Sequence, residues 1–327
     1  MNKQIAVAAF SFVLFTLSVS ARAQQPAKIP RIGYLSASSL AANAARVDAF
    51  KQGLRELGYA EGKQITIEWR FAEGKLNRVP ALAAELVNLK VDVIVTGGGT
   101  ATRAAKQSTS TIPIVMAQDP DPIGSGFVAS LGWPGGNITG LSAIAPELNG
   151  KRLELLKEII PKLARVAVLW SSTEPGNAQS LKELELAAKA FGVKLQYLDV
   201  ISPKDIETAF LAAKKARADA VLTLTSAILV KHRSEIAELA LKHRLPATHG
   251  VSSFVEDGGL MFYGTNNNDL HRRAATYVDK ILKGRTPADL PVEQPIKFEF
   301  IVNLKAAKQI GLTIPPNVLA RADKVIK

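Results

Sequence analysis

A chain of 327 residues with 47% hydrophobic and 21% charged residues holds material for about two domains, and this balance excludes a disordered or fibrous protein. There is no cysteine, which excludes disulfides, thiolate metal sites, cysteine nucleophiles and a lipid-anchoring cysteine. The formal charge is +12, or +10 without Lys3 and Arg22, but its carriers are dispersed pairs such as Lys151-Arg152, Lys214-Lys215 and Arg272-Arg273; these read as solvated helix faces and argue against nucleic acid.

In chain order the first element is a signal peptide over residues 1–23. Lys3 supplies the positive start, Ile5 to Ser20 is apolar, and Ala21-Arg22-Ala23 fits the small-residue cleavage pattern, with cleavage expected after Ala23. No later segment reads as a membrane span. A soluble, exported, unanchored protein of the periplasm is expected.

Strands are then expected at Arg31–Leu35, Ile65–Trp69, Val91–Val95, Ile112–Met116 and Asn137–Leu141. Val47, Phe50, Leu54 and Leu57 recur at helical spacing between the first two, and Leu82, Leu86 and Leu89 do so before the third. The alternation restarts with Val166–Trp170, Lys194–Val200, Ala218–Leu224 and Pro246–Gly250. Ser202 to Asp205 reads as a helix start, with serine as the cap. A helix over Asp269–Lys283, a strand over Lys297–Val302 and a helix over Leu304–Ile310 complete the chain. The pattern predicts an α/β protein: two Rossmann-like lobes with parallel sheets, joined near Gly140 to Pro146, with a ligand cleft between them.

In open parallel sheets ligands sit beyond the carboxyl ends of the strands. The residues there are Ser36 and Ser38, then Gly97–Gly99 with Thr100 and Ala101, then Asp119, then Trp170 and Asn177, then Ser226, then His249 and Gly250. Hydroxyls, amides and glycines suit capture of a polar solute. Gly99 and its neighbours allow close backbone approach, and Thr100 as a helix cap would present free amides to a carboxylate. Trp170 suits either stacking at the cleft or core packing, and His249 suits either the cleft or the interior. The dinucleotide and phosphate-loop glycine patterns are both unmet. The four histidines carry no metal-binding spacing, and no nucleophile–base pair stands out; Asp119 and Asp121, two apart around prolines, shape a turn. Neither catalysis, cofactor nor metal is therefore expected.

The segments Gly53–Tyr59, Val91–Thr100, Asp121–Gly124, Ser130–Gly140 and Ile281–Glu293 resemble the periplasmic substrate-binding components of ABC transporters, in the group whose members bind tryptophan or tyrosine. Pro134–Gly140 is the most specific of them. The resemblance implies the type I periplasmic-binding-protein fold with a hinge of three crossings. Lobe 1 would comprise 24–143 plus 264–291, and lobe 2 would comprise 144–263 plus 292–327. It implies a monomer that captures a small solute, an amino acid or other carboxylate, and delivers it to an inner-membrane ABC permease with its ATPase. Carried over by position, it places ligand contacts at Ser36, Ser38, Thr100, Ala101, Asp119, Asn177, Ser226 and Gly250, with Asn266 beside a crossing. A sensory receptor for a membrane signalling partner uses the same fold and closure, and an exported small-molecule hydrolase is a further alternative.

Overall fold

The computed structural model describes residues 29–327, so the expected signal peptide lies outside the described residues. The first lobe runs β1 (Arg31–Ser36), α1 (Leu40–Glu56), β2 (Thr66–Phe71), α2 (Val79–Asn88), β3 (Val93–Gly97), α3 (Gly99–Ser108), β4 (Ile114–Asp119) and β5 (Ile138–Ser142). Its five strands lie in the order β2-β1-β3-β4-β5, all parallel. A parallel sheet covered on both faces needs strands apolar on both sides, which is why Ile32, Val93, Ile94, Val95 and Ile114 are all fully buried.

The second lobe runs α4 (Ala145–Ile159), β6 (Arg165–Trp170), α5 (Asn177–Phe191), β7 (Lys194–Asp199), α6 (Lys204–Lys215), β8 (Ala220–Thr223), α7 (Ala227–Lys231), α8 (Arg233–Lys242), β9 (Ala247–His249), α9 (Ser253–Glu256) and β10 (Met261–Thr265). Helix α10 (Asn267–Leu282) returns to the first lobe; β11 (Phe298–Asn303), α11 (Leu304–Gln309), α12 (Pro316–Leu319) and β12 (Lys324–Ile326) return to the second. The second sheet has the order β12-β11-β10-β9-β8-β6-β7 and is not wholly parallel: β11 runs antiparallel to β10, and β12 follows β11. Five elements were missed in the sequence, the four-residue helices α9 and α12 among them. Helix α4 carries its signal in Leu148, Leu153, Leu156 and Ile159, all buried; β10 is short and broken by Gly264, and β12 has only three residues.

Each sheet has an apolar layer on both faces. In the first lobe, Val47, Phe50 and Leu54 of α1 share one layer with Leu270, Ala274 and Val278 of α10, while Leu82 and Leu86 of α2 share the other with Ala101 and Ala105 of α3. Burial of each large side chain contributes about 1.5–3 kcal/mol. Leu57, expected to continue the α1 stripe, is instead the exposed C-cap. Gly53 lets α1 and α10 touch: a Cβ there would lie 2.2 Å from the Arg272 carbonyl oxygen. The expected serine cap at Ser202 is also corrected. The Asp205 carboxylate makes that turn instead, accepting from the amides of Ile201 and Ser202 and from the Ser202 hydroxyl, and the Ser202 side chain caps nothing.

The chain passes between the sheets three times, and the crossings are tied together. Ser142 donates its amide to the Glu293 carbonyl at 2.9 Å, and Thr265 donates its hydroxyl to the Ala143 carbonyl at 3.0 Å. Ile144, between β5 and α4, sits at φ 42°, a left-handed conformation that is costly for a β-branched residue. The crossings therefore hold one defined geometry on the hinge side, as a hinge requires.

Candidate functional site

The carboxyl ends of β1, β3 and β4 face those of β6, β8 and β9 across a cleft. It consists of two chambers that meet at Gln118, Pro120, Thr225 and Val251. The outer chamber, about 450 Å³ including its mouth, is walled by Ser38, Arg46 and the Gly97–Ala101 turn on one side. Glu174, Ser226, Ala227 and Val230 wall the other side. The inner chamber, about 340 Å³, lies against the hinge and is lined by Ala143, Ala145, Arg152, Gly250, Thr265 and Asn267. Neither lining contains an aromatic side chain.

Six of the sequence-predicted residues line this cleft: Ser38, Gly99, Thr100, Ala101 and Ser226 in the outer chamber, and Gly250 in the inner one. Thr100 is not the helix cap. Strand β3 runs on to Gly97, Gly98 turns the chain at φ 114°, and α3 begins at Gly99, which leaves the Thr100 hydroxyl free to reach across the cleft. It donates to Glu174 Oε2 at 3.0 Å, and the same oxygen accepts from the Ala227 amide at 3.2 Å. The start of α3, where a solute carboxylate was expected, is thus occupied by the protein's own carboxylate from the other lobe. The other carboxylate oxygen of Glu174 would lie 3.0 Å from a Cβ added at Gly99.

The remaining six predicted residues do not line it. Ser36 is 1% exposed; its hydroxyl accepts from the Ser38 amide and from Asn43 Nδ2, so it shapes the turn after β1. Asp119 is fully buried and accepts from the Asp121 amide at 3.1 Å, while Asp121 accepts from the Gly124 amide, as expected of a turn. Trp170 packs against the second-lobe core, resolving its two readings toward packing. Asn177 donates to the Ser171 carbonyl at 2.9 Å and fixes the loop that carries Glu174. His249 is interior: it bonds Thr223 and stacks on Phe254 at 4.5 Å, and burial, with the charge of Arg152 adding to it, lowers its pKa to about 3, so it is neutral. Asn266 caps α10 by accepting from the Asp269 amide and donates to Glu299.

The charged lining was missed. Glu174, Arg46 and Arg152 were not singled out, and Arg152 was grouped with Lys151 as solvated helix surface; Gln118, among the residues expected beyond β4, does line both chambers. Arg152 is in fact 2% exposed. Its neighbour Lys151 does face outward and pairs with Glu154, so the spacing along α4 carried the distinction. Burial raises the Glu174 pKa to about 7 against the amides of Ala227 and Thr100 and the Thr100 hydroxyl, which pull it down. Burial likewise raises that of Asp119 to about 8, with Glu174 itself adding to the rise. Burial lowers the pKa of Arg152 to about 10. Among the described residues no group of His, Asp or Glu side chains is arranged to hold a metal ion, and no helix is long and apolar enough to cross a membrane. A cleft of hydroxyls, two amides, two cations and one acid, open between two hinged lobes, suits reversible capture of a small polar molecule.

Comparison with known proteins bears on this geometry. A family model for ABC transporter substrate binding proteins matches residues 34–326. The tyrosine-binding protein of Clostridioides difficile is 25% identical over 263 residues, spanning 80% of this chain and 75% of that protein. A conserved domain protein of Vibrio cholerae matches with a TM-score of 0.86 at 28% identity, covering 91% of this chain and 100% of that one. An ABC domain from Streptococcus pneumoniae, solved in complex with L-Trp, matches with a TM-score of 0.85 at 27% identity, covering 91% of this chain and 99% of that one. The fold is that of the type I periplasmic binding proteins.

Proposed function

The chain belongs to the ABC transporter substrate binding proteins, and on that premise we propose that its cleft captures an amino acid or another small carboxylate for hand-over to an inner-membrane ABC permease and its ATPase. The observation that carries the reading is the outer chamber, whose two walls come from different lobes and already meet through Thr100 and Glu174. A solute that touches both walls stabilises the closed arrangement over the open one by its differential contacts. A micromolar dissociation constant needs ~8 kcal/mol, within reach of a few hydrogen bonds and one charge pair in such a cleft.

The tyrosine and L-Trp of the two relatives support an amino acid. Nothing in the lining selects an aromatic ring, so smaller side chains fit the reading equally. The family is one of receptors, and the cleft is read here as a binding site rather than a catalytic one. The protein acts as a monomer in the periplasm after cleavage behind Ala23. Its moving lobes are 24–143 plus 266–293 and 144–265 plus 294–327; the boundaries expected at 263 and 291 shift because β10 runs to Thr265 in the second sheet and Val292 and Glu293 pack on the first.

Thermal unfolding against a panel of amino acids, other carboxylates, sugars and polyamines tests this. A solute that binds only the folded state at a hundred times its dissociation constant adds ~2.7 kcal/mol and raises the midpoint by a few degrees. The expected result is a saturable rise with at least one amino acid or carboxylate. A rise confined to sugars or polyamines would overturn the solute class.

A further inference from the structure

Charges buried in protein are ordinarily paired, because a lone one forfeits its hydration without return. Arg152 breaks that pattern. It projects from α4 into the inner chamber, is 2% exposed, and has no carboxylate within salt-bridge distance among the described residues. Its Nε donates to the Tyr263 carbonyl at 2.7 Å and its Nη1 to Asn149 Oδ1 at 2.5 Å, which fixes the plane of the guanidinium. Nη2 has no protein acceptor among the described residues. Two glycines flank it: a Cβ at Gly250 would lie 3.6 Å from Cζ and Nη1, and one at Gly264 would lie 3.3 Å from Nη2.

The other anion site expected from the sequence, the start of α3, is filled by Glu174. At the junction of the chambers Gln118, nine-tenths buried, holds a side-chain oxygen with no hydrogen-bond partner. We infer that the solute's carboxylate docks on Arg152 in the inner chamber, with its N–H groups directed back toward Gln118 and Glu174. This rests on the amino acid or carboxylate reading and names the residue that selects it. The preferred solute is a zwitterion or organic acid with its charged head toward the hinge. Uncharged sugars leave Arg152 uncompensated, cationic polyamines are repelled by it, and both bind worse. A fork of donors held in one plane suits bidentate carboxylate recognition.

The test uses two sets of probes on the full protein. Acetate and its uncharged analogue acetamide probe the subsite alone, at ionic strength held constant with sodium chloride. Acetate is expected to raise the thermal midpoint and acetamide is not; Arg152→Gln loses the acetate effect, and Arg78→Gln, at an exposed arginine outside both chambers, keeps it. L-tryptophan and L-tyrosine are then compared with their primary amides. The acids are expected to bind at least tenfold more tightly than the amides, and Arg152→Gln is expected to abolish that preference. Arg152→Lys keeps the charge if the glutamine variant unfolds, and is expected to retain part of the acetate effect.

The two readings fail differently. An acetate effect that depends on Arg152, without binding of either amino acid, keeps the subsite and removes the aromatic amino acids. Amino acid binding with the same acid-over-amide preference in Arg152→Gln keeps the receptor and overturns the subsite. Absence of any acetate effect in the wild type also overturns it.

Discussion

Gly140→Ala is expected to be the most destabilising single methyl addition in the first lobe, at about 3–5 kcal/mol. Gly140 lies in β5 at φ 131°, where L side chains are rarely found, and a Cβ there would sit 2.3 Å from the Met116 carbonyl oxygen and 2.6 Å from its nitrogen. Both atoms are backbone of the neighbouring strand β4, so no side chain can rotate away. Overpacking costs about 1–3 kcal/mol and an unsuitable φ adds about 1–3 kcal/mol. Native domains are stable by only about 5–15 kcal/mol, so the loss is a large fraction of the total. Gly58→Ala is the control, since it has a positive φ of 87° but open space around it, and it should cost about 1 kcal/mol. Urea unfolding followed by circular dichroism reads both; equal midpoints for the two variants would mean that β5 is not packed on β4 as described.

The second large effect is a dependence of closure on pH. In the closed form Glu174 is buried between Thr100 of one lobe and Ala227 of the other, and its pKa is raised to about 7. With the lobes apart, water returns it to the ordinary carboxylate range near 4.5. Between these values the closed form binds the proton and the open form does not. The closed form is therefore fully favoured below about 4.5 and loses that advantage as pH rises through about 7. A displacement of this size is on the order of a hundredfold in the closed-to-open ratio. Small-angle scattering of the solute-free protein should give a smaller radius of gyration at pH 5 than at pH 8. Glu174→Gln keeps an oxygen acceptor for Thr100 and removes the titration, so its radius should be the same at both. A wild-type radius that does not change would contradict the placement of Glu174 in the closed form.

Sequence patterning located the framework well because parallel strands buried on both faces leave continuous apolar runs, as in Val93–Val95 and Val166–Leu169. It also led to the correct end of each sheet, and so to six of the lining residues. It misplaced Thr100 by taking the helix to begin two residues late, a boundary set by the φ of Gly98 rather than by any side chain. Asp119, His249 and Asn177 stand at strand or helix ends just as Ser38 and Ser226 do; only the direction of the side chain separates floor from lining, and composition does not encode that. Arg152 and Glu174 were hidden for a different reason. Arginine in a helix and glutamate in a Ser-Thr-Glu-Pro-Gly loop are ordinary surface chemistry until tertiary packing buries them. A sharper use of helical spacing would have found Arg152, since it falls on the face shared by Leu148, Leu155 and Leu156 of α4.

Hinge closure on a solute can be read directly by single-molecule energy transfer, because a chain without cysteine accepts two engineered ones cleanly. Lys75→Cys in the first lobe and Lys204→Cys at the start of α6 are exposed and flank the lip where Gly74 meets Lys231. The titrant is the amino acid or carboxylate that gives the largest thermal shift, added at pH 8. Two dye separations are expected, with the shorter one rising saturably to dominance as solute is added. A single separation, unchanged by a solute that demonstrably binds, would contradict capture between moving lobes.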